Sequence, residues 1–173
     1  MRKSRSPYFA LLYLVFVILQ MVICNWVNLS PLVSLTILPA LILCLPLSVA
    51  TVPAMFLAFV TGLAVDFLGD GVLGLNALAL VPVAYMRKFL IGNILGKDIV
   101  IRGDGFSFRK NGILKVTSAL FFSLIVFLTV YILADGAGTR PLWFNLARFG
   151  LSTLAGMIVG LLVVNTLTSS ERR

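Results

Sequence analysis

The chain has no histidine, and only six of its 173 residues are acidic: Asp66, Asp70, Asp98, Asp104, Asp135 and Glu171. Lack of histidine excludes His-based nucleophile triads and His-ligated metal sites. Two cysteines, Cys24 and Cys44, are too few for a four-ligand metal centre. They sit on separate apolar stretches and read as small hydrophobic side chains, not as a disulfide. Charged residues make up 12% of the chain and hydrophobic ones 60%, where a soluble chain is roughly 25% charged. A small soluble domain has too much surface for its volume to hide that much apolar side chain. These shortages define one membrane domain over residues 1–173: an all-α, polytopic integral membrane bundle. They suggest no catalytic, cofactor-binding or metal-binding residue, and the expectation is a protein that is not an enzyme.

What the chain does have is apolar runs. About six transmembrane helices are expected, over 8–26, 31–47, 51–68, 72–86, 114–134 and 143–167. At about 1.5 Å per residue the shorter runs barely cross a core of about 30 Å. Span four therefore has a longer alternative, to residue 95, with Arg87 and Lys88 snorkelling to the headgroups. Pro39, Pro46, Pro53 and Pro82 fall within or at the ends of spans, where they kink helices whose freed carbonyls neighbouring helices must cover. The runs lack apolar–polar alternation, which argues against a membrane barrel. The first run has a basic start but no small-residue cleavage site, and reads as a retained span rather than a signal peptide.

Net charge is +8, and its distribution follows membrane topology rather than nucleic-acid binding. With six spans, twelve of the fourteen Lys and Arg residues share one side. Arg140 and Arg148 stand alone at the other. The positive-inside rule then places both termini in the cytoplasm. Residues 87–113 form a basic cytoplasmic loop, broken up by Gly92, Gly96, Gly103 and Gly105. It is either simply solvated, or a docking site for a cytoplasmic protein, or an interfacial segment on anionic lipid. Trp26 and Trp143 fall at the opposite boundary, as an aromatic belt would place them.

The polar exceptions are informative. Ala54, Ala58, Gly62 and Asp66 form a stripe at spacing four on span three, and Arg148, Ser152, Gly156 and Gly160 another on span six. Small residues at that spacing let helices approach closely in lipid. Laid antiparallel, the two stripes would pack together and pair Asp66 with Arg148. Alternatively Arg148 snorkels to the headgroups. The stretch from Gly62 to Leu80 is the sharpest in the chain: a helix end, a turn rich in glycine (Gly69, Gly71, Gly74) and a new helix start. Asp70 can cap the second helix, and Asn76 adds a polar group within its first turns. This stretch is either a demanding structural hairpin, or part of a small ligand or ion site formed by Asp66, Asp70, Asn76, Asn145 and Arg148.

Gly62, Asp66, Gly71, Gly74, Asn76 and Ala77 resemble the signature hairpin of the rod shape-determining MreD family, with Asn76 where relatives carry His or Asn. Chain length, span number and the basic start are also similar. The resemblance implies a fold like that of the six-helix substrate-binding subunits of vitamin transporters. It implies a multi-pass scaffold in the bacterial cytoplasmic (inner) membrane, serving the cell-elongation complex. The implied partners are MreC through its transmembrane helix, MreB on the cytoplasmic side, the elongation transpeptidase and the RodA-type glycosyltransferase. The competing reading is a substrate-binding subunit of a small-molecule transporter.

Overall fold

The computed structural model describes residues 6–26, 32–70, 72–96, 99, 106, 108–136 and 140–169. Helix α1 covers Ser6–Trp26, α2 Leu38–Cys44, α3 Thr51–Val65, α4 Leu75–Ile94, α5 Phe108–Asn111, α6 Ile113–Gly136 and α7 Leu142–Ser169. Helix α3 ends in a wider π turn, Asp66–Asp70. Four of these elements, Thr51–Gly69, Leu75–Ile94, Ile113–Gly136 and Leu142–Thr168, are long and apolar enough to cross a membrane. The protein is thus an all-helical, polytopic membrane bundle. The apolar stretch of α1, Phe9–Asn25, is shorter.

The bundle is built by pairwise packing of neighbours: α3 on α4, α4 on α6, and α6 on α7. Helix α1 lies against α3 and the π turn. Large apolar side chains such as Val52, Phe56, Phe89, Leu114, Leu154 and Ile158 point outward, as a lipid-facing surface requires. The buried polar residues point inward instead, where a partner can be found.

The segment expected as a second continuous span, 31–47, differs from that expectation. Among its described residues, 32–47, only the seven of α2 are helical, and every one is buried. Residues 33–37 before it have no regular structure. Proline explains the break. Pro39 sits in the first turn, and its ring excludes helix on its N-terminal side; Pro46 follows soon after the last turn. Helix α2 touches α1, α3, α4, α6 and α7 and is the centre of the bundle. Irregular backbone is tolerated at membrane depth only where protein surrounds it.

The loop expected at 87–113 also starts later. Helix α4 runs on to Ile94, and Gly96 then turns the chain with φ +116°. Arg87 does not snorkel: it lies within α4 and is 1% exposed. Phe106 is buried in the core rather than lying on a lipid surface. Lys97, Asp98, Arg102, Gly103, Asp104, Gly105 and Ser107 lie outside the described residues, as do the basic residues at both ends of the chain and the side chains of Trp26, Arg109 and Lys110.

Candidate functional site

The hairpin between α3 and α4 is built around Gly62 and Asp66. A Cβ placed on Gly62 would lie 2.4 Å from the Cα of Ala77 and 2.5 Å from its nitrogen. Only a residue without a side chain lets the two helices touch here. One turn further on, Asp66 is 0% exposed. Its Oδ1 accepts the backbone N–H of Asn76 (2.9 Å) and the Asn76 side-chain amide (2.8 Å). Its Oδ2 accepts the N–H of Gly74 (2.9 Å) and of Ala77 (3.2 Å). The three backbone N–H groups are orphan donors at the start of α4, and the carboxylate also meets the positive end of the helix dipole. A carboxylate has about four acceptor positions, and Asp66 uses all of them. Gly74, at φ +94°, takes the left-handed conformation that opens α4. Asp66 thus caps α4, and the capping role expected of Asp70 lies outside the described residues. The Asp70 side chain and all of Gly71 lie outside the described residues.

The proposed Asp66–Arg148 pair does not form, because each charge has other partners. Arg148 donates from Nη1 to Oδ2 of Asp135 and from Nε to Oγ of Ser34 (3.0 Å). Its guanidinium also stacks over Tyr131 at 5.7 Å from the ring centroid. The small-residue stripes do not meet either. Ala54 and Ala58 are buried on α3, which packs chiefly on α4. A Cβ on Gly156 or Gly160 would sit 3.0 Å from a methyl of Leu124 or Leu120, so the α7 stripe faces α6. The five-residue cluster around Asp66 and Arg148 is divided accordingly: Asp66 and Asn76 belong to the hairpin, Arg148 to the end of α7. Asn145 turns its buried Oδ1 to no hydrogen-bond partner.

A second polar system was not legible in the sequence. It holds the broken segment 32–49. In a continuous helix the carbonyl of Leu35 would accept from residue 39, but Pro39 has no N–H. Gln20 of α1 takes that place: its Nε2 donates to the Leu35 carbonyl (3.1 Å) while its Oε1 accepts the Ile37 N–H (2.8 Å). The Ile42 carbonyl lies four residues before Pro46 and accepts the Leu45 N–H instead (3.3 Å), and the Val49 carbonyl lies four before Pro53. Arg87 of α4 serves this end. Its Nη2 donates to the carbonyls of Pro46 (3.1 Å) and, at long range, Val49 (3.5 Å), and its Nη1 reaches that of Ile42 (3.4 Å). The guanidinium thus occupies the negative end of α2. Near the segment's start, the Ser34 N–H donates to Oγ of Ser152 (2.8 Å) and the Leu38 N–H to Oγ1 of Thr36 (3.3 Å). The available signal was the spacing of Pro39, Pro46 and Pro53, seven residues apart, together with a lone Gln20 in an apolar run.

An apolar groove of about 370 Å³ opens between α3 and α4, lined by Phe59, Gly74, Ala77, Leu78, Val81 and Pro82. Among the described residues, no group of three or more Cys, Asp and Glu side chains converges as a metal site would require. No protein-family model matches the chain, and no curated protein or solved structure matches it either.

Proposed function

We propose that the chain is a non-enzymatic membrane subunit of the MreD type, scaffolding the bacterial cell-elongation complex. In this reading it crosses the inner membrane six times, with both termini cytoplasmic and the broken segment 32–49 as the second crossing. Its exposed helix faces hold the single transmembrane helix of MreC. Its basic side faces MreB, and the elongation transpeptidase and RodA-type glycosyltransferase assemble around it.

The observation that carries this reading is the use made of the hairpin residues. Gly62, Asp66, Gly74, Asn76 and Ala77, which bear the resemblance, all serve one joint between two helices. Gly62 permits contact, and Asp66 is saturated by the donors of α4. A carboxylate with every acceptor position filled suits a rigid packing element, not proton transfer or ligand exchange.

The second reading, a transporter's substrate-binding subunit, is favoured by one feature: an irregular segment near the centre of the bundle, the arrangement that transporters use around a substrate. Against it, the backbone groups at 35, 37, 42 and 46 in the broken segment already have protein partners. The two readings separate on affinity purification of the full chain in mild detergent from a rod-shaped bacterium. A scaffold retains a single-span membrane protein in near-stoichiometric amount. Recovery of a stoichiometric small metabolite, with no protein partner, would replace the scaffold reading by the transporter one.

A further inference from the structure

The structure carries an unbalanced charge cluster at the boundary where α6 ends and α7 begins. Asp135, in the last turn of α6, holds two guanidiniums on a single oxygen. Arg140 Nη1 donates to Oδ2 at 3.0 Å, and Arg148 Nη1 donates to the same atom. Among the described residues, two positive charges share one negative charge, leaving an excess of one. Arg148 is anchored on Ser34 and over Tyr131, and its side chain is 10% exposed. Arg140 lies over the ring of Phe144 at 5.6 Å, with a side chain 39% exposed. Among the described residues, neither Nη2 nor the Nε of Arg140 has a hydrogen-bond partner.

Three surroundings sharpen what this cluster can take. The N-terminus of α7 stands beside it. Its Phe144 and Asn145 N–H groups turn to the Pro141 carbonyl, and the positive end of the helix dipole favours an anion at this turn. The exposed side chains of Leu142, Trp143 and Leu146 supply an apolar face next to the charges. The position at the ends of two membrane-crossing helices is the level of lipid headgroups.

We propose that Arg140, Arg148 and the first turn of α7 form a binding site for the phosphodiester of a membrane phospholipid, with the acyl chains on Leu142, Trp143 and Leu146. Planar guanidiniums match phosphate oxygens in charge and in donor spacing. Asp135 sets the two guanidiniums side by side and leaves the excess charge that a singly ionised phosphodiester neutralises. Because Arg148 also bonds Ser34, the bound lipid abuts the start of the broken segment. The proposal rests on the membrane-spanning bundle alone and is independent of the scaffold reading.

The test is lipid titration of the purified full chain, read by thermal stabilisation and by native mass spectrometry of retained lipid. Four additives are compared: phosphatidylglycerol, phosphatidylethanolamine, diacylglycerol with the same chains, and inorganic phosphate. Arg140→Gln is the informative variant, because its loss leaves the Asp135–Arg148–Ser34 anchor in place and the unliganded melting temperature near that of the parent. Arg148→Gln is the companion, read only if it folds. One or both phospholipids should bind the parent chain, and Arg140→Gln should weaken that binding about tenfold, as the loss of a charge-assisted hydrogen bond predicts. Equal retention by parent and Arg140→Gln would overturn the proposal. So would equal stabilisation by diacylglycerol, which lacks phosphate, or by inorganic phosphate, which would make the cluster a free-anion site.

Discussion

Asp66 and Arg87 are both buried charges on neighbouring helices, 0% and 1% exposed, and among the described residues neither is paired with an opposite charge. Each is satisfied by backbone instead. Asp66 collects the free N–H groups at the start of α4. Arg87 collects carbonyls at and beyond the end of α2. The two sites are mirror images in charge and in helix polarity. They differ in fit. All four Asp66 bonds are between 2.8 and 3.2 Å, whereas two of the three Arg87 bonds are 3.4 and 3.5 Å, and its Nε has no partner. The anion sits in a closed turn that could be fitted to it. The cation spans three carbonyls spread over eight residues of proline-interrupted chain, and no planar group can be ideal for all of them.

The largest expected effect breaks the tight side of the comparison. Gly62→Ala puts a methyl 2.4 Å from the Ala77 Cα, a contact with backbone that no side-chain rotation relieves. Helices α3 and α4 must part, and the Asp66 cap is drawn away from its donors. The expected loss is more than about 3 kcal/mol, seen as a collapse of the monodisperse peak on size-exclusion chromatography in detergent. Gly74→Ala in the same hairpin meets nothing within 4 Å and suffers only its positive φ, about 1 kcal/mol. If both variants behave alike, close approach is not what Gly62 supplies.

The loose side should be nearly as sensitive. Arg87→Met keeps the apolar stem and removes every donor, leaving the Pro46 and Val49 carbonyls without this partner in the bundle interior. A loss of about 3 kcal/mol is expected. Arg87→Lys keeps the charge but cannot straddle three carbonyls, and should recover only part of that stability. Thermal melts of the three proteins in one detergent decide it. A lysine variant as stable as the parent would mean that charge at the end of α2 matters and the fork geometry does not.

The two sites also differ in how far they could be read from sequence, and the reason is separation along the chain. The partners of Asp66 lie 8 to 11 residues ahead of it, so a glycine-rich turn after an acid already implied a hairpin. The partners of Arg87 lie 38 to 45 residues behind it, and nothing local distinguishes it from a snorkelling arginine next to Lys88. The membrane class and four long apolar helices follow from composition and run length, which are local properties. The broken segment did not, because hydropathy scores 31–47 as apolar whether it is helical or not. The Asp66–Arg148 pairing failed for a related reason. Matching stripes fix which face of each helix is small, but not which helices are neighbours, and Arg148 found Asp135 only 13 residues away.

If proline is what creates the need for buried polar side chains, the dependence should be measurable at the other end of the segment. Gln20→Leu removes both bonds to residues 35 and 37 and should cost about 2 kcal/mol, since an unpaired carbonyl and N–H remain in the core. In a Pro39→Ala background, residue 39 regains an N–H and α2 can extend backward, returning a backbone donor to the Leu35 carbonyl. The same Gln20→Leu change should then cost about 1 kcal/mol less. A double-mutant cycle over the four proteins, read as unfolding in a denaturing detergent titration, measures that difference directly. Strict additivity would mean that Gln20 stabilises the segment by packing alone, and that the link drawn between each proline and the side chain serving the carbonyl four residues before it does not hold at this position.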